Sequence, residues 1–474
     1  MKRKIYALLL CCLVTGFVNG QTVFEKHYGD AYPVKDFGSC VQQTFDDGYI
    51  IAGYKKITPH WYGLIIKTDA NGDTVWTKSF DGIHTIILLS VQQTTDSGYI
   101  FTGYINKNGI PYAYLVRTNP YGDTLWTKAY LNNTLPCIGV SVQQTSDGGF
   151  VMVGSRQGVG NNNDVYLVRT DGTGDTLWTK TFGGPNSDLG NSIQQTSDGG
   201  FIIAGDTGDA TGITNVYLLK TDSNGTLTWS KTFGGANNDN EHFVQQTSDG
   251  GYIITGFTQP TPHNDVYLIR TDGNGDTLWT KTISDGSNDV RGMCARQLPD
   301  QGFIVAGWTA NTANGAHDVY VLRTNSTGDM ICTTKFGGDY LDEGTFISPT
   351  ADGGFVIVGT TQSFTTYQDE EVYLIKIDSV CGSIGTGIID ESPETKYSVY
   401  PNPVHTQLSI YLGAAVEVTI RVYDLEGMIV ELPITFRNSR AQLNTAGLPH
   451  GFYTLQITNN KTGESEVRKF VKEE

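Results

Sequence analysis

Asp249-Gly250-Gly251-Tyr252-Ile253-Ile254-Thr255-Gly256 is one copy of a turn and strand that recurs seven times along the chain. Each copy joins an acidic residue and a glycine to an aromatic residue that opens an apolar run. This glycine returns about every fifty residues, which indicates one structural unit copied in tandem. Its positions are Gly48, Gly98, Gly149, Gly200, Gly251, Gly302 and Gly354.

One repeat contains four runs that are rich in β-branched and aromatic residues and are bounded by turn-forming residues, as strands are. In the fifth repeat these runs are residues 243–247, 251–256, 265–270 and 276–281. A four-stranded antiparallel sheet cannot bury both faces alone, but radially stacked sheets can, and they leave only short edges. The repeat therefore predicts an all-β fold with a β-propeller, and a solenoid is the alternative.

The two ends of the repeat region favour a closed seven-bladed ring over a solenoid. The seventh repeat stops after its third run, at Lys376. Residues 23–30, immediately after the expected export signal, match the fourth-run pattern of residues 177–184. We therefore expect the N-terminal strand to complete the seventh blade, with the propeller occupying residues 21–380.

The fourth run carries a tryptophan in the first five repeats, and Cys332 takes this place in the sixth. With the turn before it, this segment resembles the tryptophan-docking motif of quinoprotein-type propellers. The resemblance implies that these rings pack between blades, but not that a quinone is bound, because the vicinal cysteines and metal elements are not apparent. The tryptophans are Trp76, Trp126, Trp178, Trp229 and Trp279.

The composition and the N-terminus limit the classes of function. The formal net charge of −17 disfavours binding to nucleic acid or anionic lipid. Residues 1–20 are expected to be a signal peptide, and no later stretch is apolar enough to span a membrane. The remaining cysteines match no disulfide or zinc pattern, so we expect buried small residues with at most one bridge.

Loops on one face of the predicted propeller are the candidate binding surface. In a four-stranded blade, the loop between strands two and three shares a face with the loop to the next blade. The first set of loops varies while the strands stay alike, as in a scaffold that presents a binding surface. Trp61 and Trp308 are the ligand-binding candidates there. Further stacking groups are His60, Tyr112, His263 and Tyr367.

The loops to the next blade carry an acidic residue at a fixed offset. These further ligand-binding candidates are Asp188, Asp239, Asp289 and Asp342. With the glutamines Gln143, Gln194 and Gln245, they are expected to surround the mouth of the central channel, where carboxylates could hold a cation. Alternatively, each acid accepts hydrogen bonds from backbone N–H groups where the chain re-enters a strand.

The turn between strands three and four, for example Asp272-Gly273-Asn274-Gly275-Asp276, alternates acidic and amide oxygens that could coordinate calcium. A simpler interpretation is that Asp and Asn cap the turn while Gly supplies a positive φ. No cofactor is predicted, with calcium left open. The sequence contains no recognisable catalytic motif, so we expect no enzyme, although paired channel-face carboxylates could cleave a glycosidic bond.

After the repeats, residues 381–396 are predicted to be a linker, and the alternating runs of residues 397–474 predict a small immunoglobulin-like β-sandwich. Four segments follow there in order: Tyr400-Pro401-Asn402-Pro403, Val422-Tyr423-Asp424-Leu425-Glu426-Gly427, Leu448-Pro449-His450-Gly451-Phe452-Tyr453 and Arg468-Lys469-Phe470-Val471-Lys472. They resemble the type A C-terminal sorting domain of the type IX secretion system of Bacteroidetes-type bacteria. The matching motif residues are Pro401, Asn402, Pro403, Gly427, Gly451, Tyr453, Lys469, Phe470 and Val471.

The resemblance implies passage through the periplasm and across the outer membrane, recognition of this domain by the translocon, and release or attachment at the cell surface. The sequence thus predicts a secreted or cell-surface propeller. Its expected function is non-catalytic binding of an extracellular glycan or protein. The alternatives are a structural surface-layer protein and a polysaccharide-cleaving enzyme.

Overall fold

The computed structural model describes residues 22–378 and 398–472, apart from residues 31–32, 81–83, 131–134, 159, 161, 261–262, 287, 311–315, 366–367, 401–405, 412–417, 424–427, 438–439 and 462–464. The chain divides into two compact units, residues 1–384 and 385–474. The expected signal peptide at residues 1–20 and the expected linker at residues 381–396 lie outside the described residues.

The first unit consists of seven antiparallel sheets of four strands, and each sheet is one blade of a β-propeller. Blades 1 to 6 take four consecutive strands each from β2 onward, and blade 7 has the order β1-β28-β27-β26. The strands are β1 (Thr22–Tyr28), β2 (Lys35–Gln43), β3 (Tyr49–Ile57), β4 (His60–Thr68), β5 (Thr74–Phe80), β6 (Thr85–Gln93), β7 (Tyr99–Lys107), β8 (Ile110–Thr118), β9 (Thr124–Tyr130), β10 (Cys137–Gln144), β11 (Phe150–Gln157), β12 (Asn163–Thr170), β13 (Thr176–Phe182), β14 (Asp188–Gln195), β15 (Phe201–Gly208), β16 (Thr214–Thr221), β17 (Leu227–Phe233), β18 (Asp239–Gln246), β19 (Tyr252–Thr258), β20 (Asp265–Thr271), β21 (Thr277–Ile283), β22 (Asp289–Gln297), β23 (Phe303–Ala310), β24 (His317–Thr324), β25 (Met330–Phe336), β26 (Asp342–Pro349), β27 (Phe355–Thr361) and β28 (Glu371–Ile377).

The N-terminal strand closes the ring, as the sequence predicted. Strand β1 pairs antiparallel with β28, with Lys26 opposite Leu374 and Tyr28 opposite Val372. It is therefore the fourth strand of blade 7. This exchange of ends confirms the closed seven-bladed propeller and leaves no place for a solenoid.

Apolar side chains of the middle strands form the core between neighbouring blades. Val153 and Val165 of blade 3 are fully buried and pack with Ile193 and Ile203 of blade 4. Burying one such side chain contributes roughly 1.5–3 kcal/mol. Because both faces of each blade are covered in this way, no single blade has a core of its own.

The acidic residue of the repeated turn forms a salt bridge with a lysine or arginine on the third strand of its own blade. In blade 3, the Asp147 carboxylate lies 2.5 Å from the guanidinium of Arg169, which is buried on the third strand. In the first repeat this acid is Asp46, and Asp47 takes the positive-φ position that Gly148 takes in blade 3. The N···O distances are 2.5–3.0 Å for Lys67–Asp46, Arg117–Asp96, Arg169–Asp147, Lys220–Asp198, Arg270–Asp249, Arg323–Asp300 and Lys376–Asp352.

Each tryptophan of a fourth strand packs on the next blade. The Trp126 ring meets Phe150 edge to face at a centroid distance of 5.8 Å. A Cβ at Gly174 would lie 2.8 Å from the same ring, so the next blade needs glycine there. The equivalent pairs are Trp76–Tyr99, Trp178–Phe201, Trp229–Tyr252 and Trp279–Phe303.

The second unit is also all-β, with two four-stranded sheets in the orders β29-β30-β34-β33 and β32-β31-β35-β36. Buried residues from both sheets, including Leu408, Leu443, Leu455 and Phe470, form one core, as in a small sandwich. The strands are β29 (Ser398–Tyr400), β30 (Gln407–Tyr411), β31 (Val418–Tyr423), β32 (Ile429–Val430), β33 (Ile434–Arg437), β34 (Arg440–Asn444), β35 (Gly451–Asn459) and β36 (Ser465–Lys472).

Candidate binding site

Three aromatic side chains of blade 1 form a cluster at the end where the second and third strands are joined. Phe37 on β2, Tyr54 on β3 and Trp61 on β4 have ring centroids 5.0–5.8 Å apart, and all three are partly exposed. Lys56 Nζ lies over the Trp61 ring at 4.9 Å from its centroid. We call Phe37, Tyr54 and Trp61 the aromatic patch. Burial, and secondarily the nearby Tyr104, raises the pKa of the Tyr54 hydroxyl, which keeps it protonated as a hydrogen-bond donor.

Trp308, the other predicted stacking residue, is in a different environment. It is 9% exposed, stacks in parallel on His317 at 4.5 Å, and has the Arg291 guanidinium 4.8 Å from its ring centroid. The His317 Nδ1 atom in turn lies 2.7 Å from a Glu343 carboxylate oxygen. Trp308 is therefore packed against protein groups, whereas the Trp61 ring is partly exposed.

The further stacking groups are dispersed. His60 contacts Tyr62 edge to face at 6.3 Å, and Lys107 Nζ lies over the Tyr112 ring at 5.7 Å. His263 Nδ1 lies 3.5 Å from Asp289 Oδ1. Tyr367 lies outside the described residues.

The four repeated acids each accept hydrogen bonds from the protein itself. Asp188, Asp239 and Asp342 are buried and accept the backbone N–H of Gly184, Gly235 and Gly338 at 2.7, 3.2 and 2.8 Å. The Asp289 carboxylate accepts the Asn264 N–H at 2.8 Å. These bonds agree with the turn-capping alternative, in which the acid satisfies backbone donors where a strand begins.

None of these four acids lines the central channel. A cavity of about 330 Å³ is surrounded by residues of the inner strands, which are the first strands of each blade. Its described lining includes the expected glutamines Gln143, Gln194 and Gln245, but no aspartate or glutamate. In place of the expected carboxylate ring, the described lining has amide, hydroxyl and apolar groups together with His242 and Arg296.

The turns between strands three and four are capped internally. The Asp69 carboxylate accepts the N–H groups of Asn71 and Asp73, both at 2.9 Å, and Gly72 has a φ of 78°. Throughout the described part of the chain, no group of three or more His, Cys, Asp or Glu residues is arranged to hold a metal ion. Cys40, Cys137 and Cys294 are buried, as expected for small core residues, and Cys381 lies outside the described residues.

The aromatic patch also has a sequence signal outside the variable loops. Tyr54 directly follows the glycine that ends the repeated strand pattern, and Trp308 follows the equivalent Gly307. Across the blades this position varies widely in chemistry while its neighbours stay alike. The seven residues are Tyr54, Tyr104, Ser155, Asp206, Phe257, Trp308 and Thr360.

In the second unit, two motif residues form part of the core. Tyr453 and Phe470 are buried, and their rings stack with centroids 5.3 Å apart. Tyr453 also donates a hydrogen bond to the Pro449 carbonyl at 2.8 Å. Gly451, Lys469 and Val471 lie on β35 and β36. The motif residues Pro401, Asn402, Pro403 and Gly427 lie outside the described residues.

The family comparison identifies this second unit. Residues 398–473 match the family described as "Secretion system C-terminal sorting domain". The chain carries a type IX secretion sorting domain. The protein is therefore exported to the outer cell surface or secreted, and its sorting domain engages the type IX secretion system. No helix in the described residues is long and apolar enough to cross a membrane.

Solved structures with low sequence identity resemble the chain. Sqt1 from Chaetomium thermophilum has 11% identity and a TM-score of 0.45, covering 76% of this chain and 87% of that one. The Pan2 WD40 domain of Neurospora crassa has 11% identity and a TM-score of 0.46, covering 77% and 98%. PorZ, a surface component of the type IX secretion system of Porphyromonas gingivalis, has 8% identity and a TM-score of 0.21, covering 92% and 93%. No curated protein matches the chain in sequence.

Proposed function

We propose that the propeller is a non-catalytic binding module for an extracellular glycan or protein, and that the aromatic patch is the centre of its contact surface. The observation that carries this proposal is the packing of Phe37, Tyr54 and Trp61 against one another while all three remain partly exposed. Rings held in this way present a rigid apolar surface, so little conformational entropy is lost on binding. Trp and Tyr are also the residues that most often dominate binding energy at interfaces.

The chemistry around the patch suits a ligand with both apolar and polar groups. Lys56 adds a positive charge at the Trp61 ring, and the protonated Tyr54 hydroxyl adds a donor. A sugar ring offers an apolar face to an aromatic side chain and hydroxyls to neighbouring donors. A protein partner would place an apolar side chain on the rings and a carboxylate near Lys56.

The test is binding of the full secreted chain to an array of glycans and surface polymers, with calcium present. Trp61→Ala is expected to weaken binding at least about tenfold, as for an interface residue of this kind. Tyr121→Ala is the matched control, because Tyr121 is 73% exposed in a turn between strands three and four, at the opposite ends of the strands. Equal binding by both variants would show that the patch is not the contact surface.

The array also separates the other roles. A surface-layer protein would bind no soluble ligand, and its assembly would not respond to Trp61→Ala. A polysaccharide-cleaving enzyme would release products and would lose turnover in Asp239→Asn. Ligand binding without product release is the result that we expect.

The division of the chain belongs to the same proposal. We infer a signal peptide at residues 1–20, a propeller at residues 21–380, a linker at residues 381–396 and the sorting domain at residues 397–474. Strand β28, the last strand of the propeller in sequence, ends at Ile377, and β29 starts at Ser398, which supports these bounds. Mass spectrometry of the exported protein should find an N-terminus near Gln21. A retained Met1 would contradict this assignment.

A further inference from the structure

Five of the seven inner strands end in two consecutive glutamines, and both glutamines connect blades. The Oε1 atom of the second glutamine accepts a backbone N–H from the preceding blade, as in Gln144 with Thr95 at 2.9 Å. The Oε1 atom of the first glutamine accepts the backbone N–H of the second glutamine in the following blade, as in Gln143 with Gln195 at 2.6 Å. The pairs are Gln42-Gln43, Gln92-Gln93, Gln143-Gln144, Gln194-Gln195 and Gln245-Gln246.

These bonds fix which end of each first-glutamine amide faces the channel. A backbone N–H can only donate, so it must meet the amide oxygen and not the nitrogen. The Nε2 group is then left for the cavity, and within the described chain it has no protein acceptor. All five first glutamines line the cavity. One level of the channel is therefore a ring of N–H donors.

Blades 6 and 7 depart from the pattern together. Blade 7 has Ser348-Pro349, and because proline has no N–H, blade 6 needs no amide oxygen to accept one. In blade 6, Arg296 occupies the position of the first glutamine, and it lines the cavity. Its guanidinium lies 4.2 Å from the ring centroid of Phe243 and 4.9 Å from that of Phe346, and it donates to the Ala295 carbonyl at 3.2 Å.

Arg296 has no neutralising partner in the cavity. The described lining contains no aspartate or glutamate, although the protein carries a formal net charge of −17. Contacts with ring faces hold a guanidinium plane but leave the N–H groups at its edge able to bind an anion in a bidentate manner. The channel thus combines one cation with hydrogen-bond donors and excludes protein carboxylates.

We propose that the central channel is a binding site for a small oxyanion, a carboxylate, sulfate or phosphate group, held by Arg296 and the Nε2 groups of the glutamine ring. The cavity of about 330 Å³ is at the lower end of the range for small-molecule sites. Gln245 and Ser348, on the blades that flank Arg296, supply the neighbouring amide and hydroxyl groups. Charge-assisted bonds to the guanidinium provide most of the affinity. This site is independent of the aromatic patch, so Trp61→Ala is expected to leave it unchanged.

The experiment is isothermal titration of the full secreted chain with sodium sulfate, sodium phosphate, sodium acetate and sodium glucuronate, each at low ionic strength. We expect saturable binding of at least one probe with a Kd below about 1 mM. The probe that binds identifies the group: glucuronate or acetate a carboxylate, sulfate or phosphate a tetrahedral anion. Arg296→Gln restores the residue of blades 1 to 5, and it is expected to weaken binding at least about tenfold.

Two further variants make the result decisive. Gln245→Glu keeps an oxygen for the Gln297 N–H but replaces a donor by a carboxylate beside Arg296, so it should likewise weaken binding at least about tenfold. Lys180→Gln, on the outer strand β13, removes the same charge far from the channel and should bind as the unaltered protein does. Saturation by none of the four probes overturns the proposal. So does equal binding by the unaltered protein, Arg296→Gln and Gln245→Glu.

Discussion

The Phe24 ring lies edge to face on the Tyr49 ring, with centroids 6.0 Å apart and planes inclined at 63°. Phe24 belongs to the closing strand β1, and Tyr49 belongs to blade 1. The geometry is that of the tryptophans on the fourth strands, and a Cβ at Gly72 would lie 2.8 Å from the Phe24 ring. The N-terminal strand therefore closes the propeller twice, by main-chain pairing within blade 7 and by ring packing on blade 1.

Phe24→Ala is expected to lower the free energy of unfolding by about 2–3 kcal/mol, because it removes a partly buried ring from the closing interface. Phe24→Trp, which restores the residue of the first five blades, is the control and should be at least as stable. Guanidinium unfolding followed by tryptophan fluorescence measures both. An unchanged midpoint for Phe24→Ala would show that main-chain pairing alone closes the ring.

Asp147→Ala is expected to cost about 2 kcal/mol or more, because it leaves the buried Arg169 guanidinium without its carboxylate. Asp175→Ala removes the partner of Lys128, where both side chains are at least 38% exposed, and should change stability by less than 1 kcal/mol. The Thr145 hydroxyl, and to a smaller extent Arg169, lowers the Asp147 pKa. The Asp147 contribution should therefore be lost as the pH falls below about 4. Equal urea midpoints for the two variants would contradict this account.

The fold could be predicted because its signals are local and repeated. The spacing of the turn glycine, the alternation of the strands and the match of residues 23–30 to a fourth strand lie within short stretches. The sequence motifs likewise indicated the sorting domain. Pairing of β1 with β28 then follows from the general need to leave no exposed edge.

The environment of single side chains could not be predicted in the same way. Trp61 and Trp308 both lie near a loop between the second and third strands of a blade, but they are not equivalent positions. His317 and Arg291, which cover Trp308, come from two other strands. Arg296 differs from the glutamines of other blades because of Pro349, more than fifty residues away in sequence. Such relations depend on which strands are neighbours in the ring.

Deletion of residues 398–474 should stop export, because it removes the sorting domain while leaving every propeller strand in place. The expected result is a folded propeller retained in the periplasm. Cell fractionation with immunoblotting measures this distribution. Full-length protein with Trp61→Ala is the matched control and should reach the surface or the medium. Normal export of the truncated chain would mean that another segment carries the sorting signal.

Glu241 is a buried acid at a position where five other blades have a glycine, namely Gly38, Gly139, Gly190, Gly292 and Gly344. Neither of its carboxylate oxygens has a hydrogen-bond partner among the described residues. Burial, and then the neighbouring Asp206, raises the Glu241 pKa well above its ordinary value. Burial also raises the Asp206 pKa to about 6.

In Glu241→Gln, the free energy of unfolding should therefore fall less steeply as the pH rises. Above about pH 4 the folded state still binds protons that the unfolded chain has released, so the free energy of unfolding falls as pH rises, by up to about 1.4 kcal/mol per pH unit for each such group. Of this pair, only the Asp206 contribution remains in Glu241→Gln, and other acids with raised pKa values, such as Asp36, act equally in both proteins. Urea unfolding from pH 5 to 8 should show the variant gaining stability over the unaltered protein as pH rises. Glu431→Gln, at an exposed acid of the sorting domain, should give no such divergence. Parallel curves for Glu241→Gln and the unaltered protein would show that Glu241 does not hold its proton in the folded state.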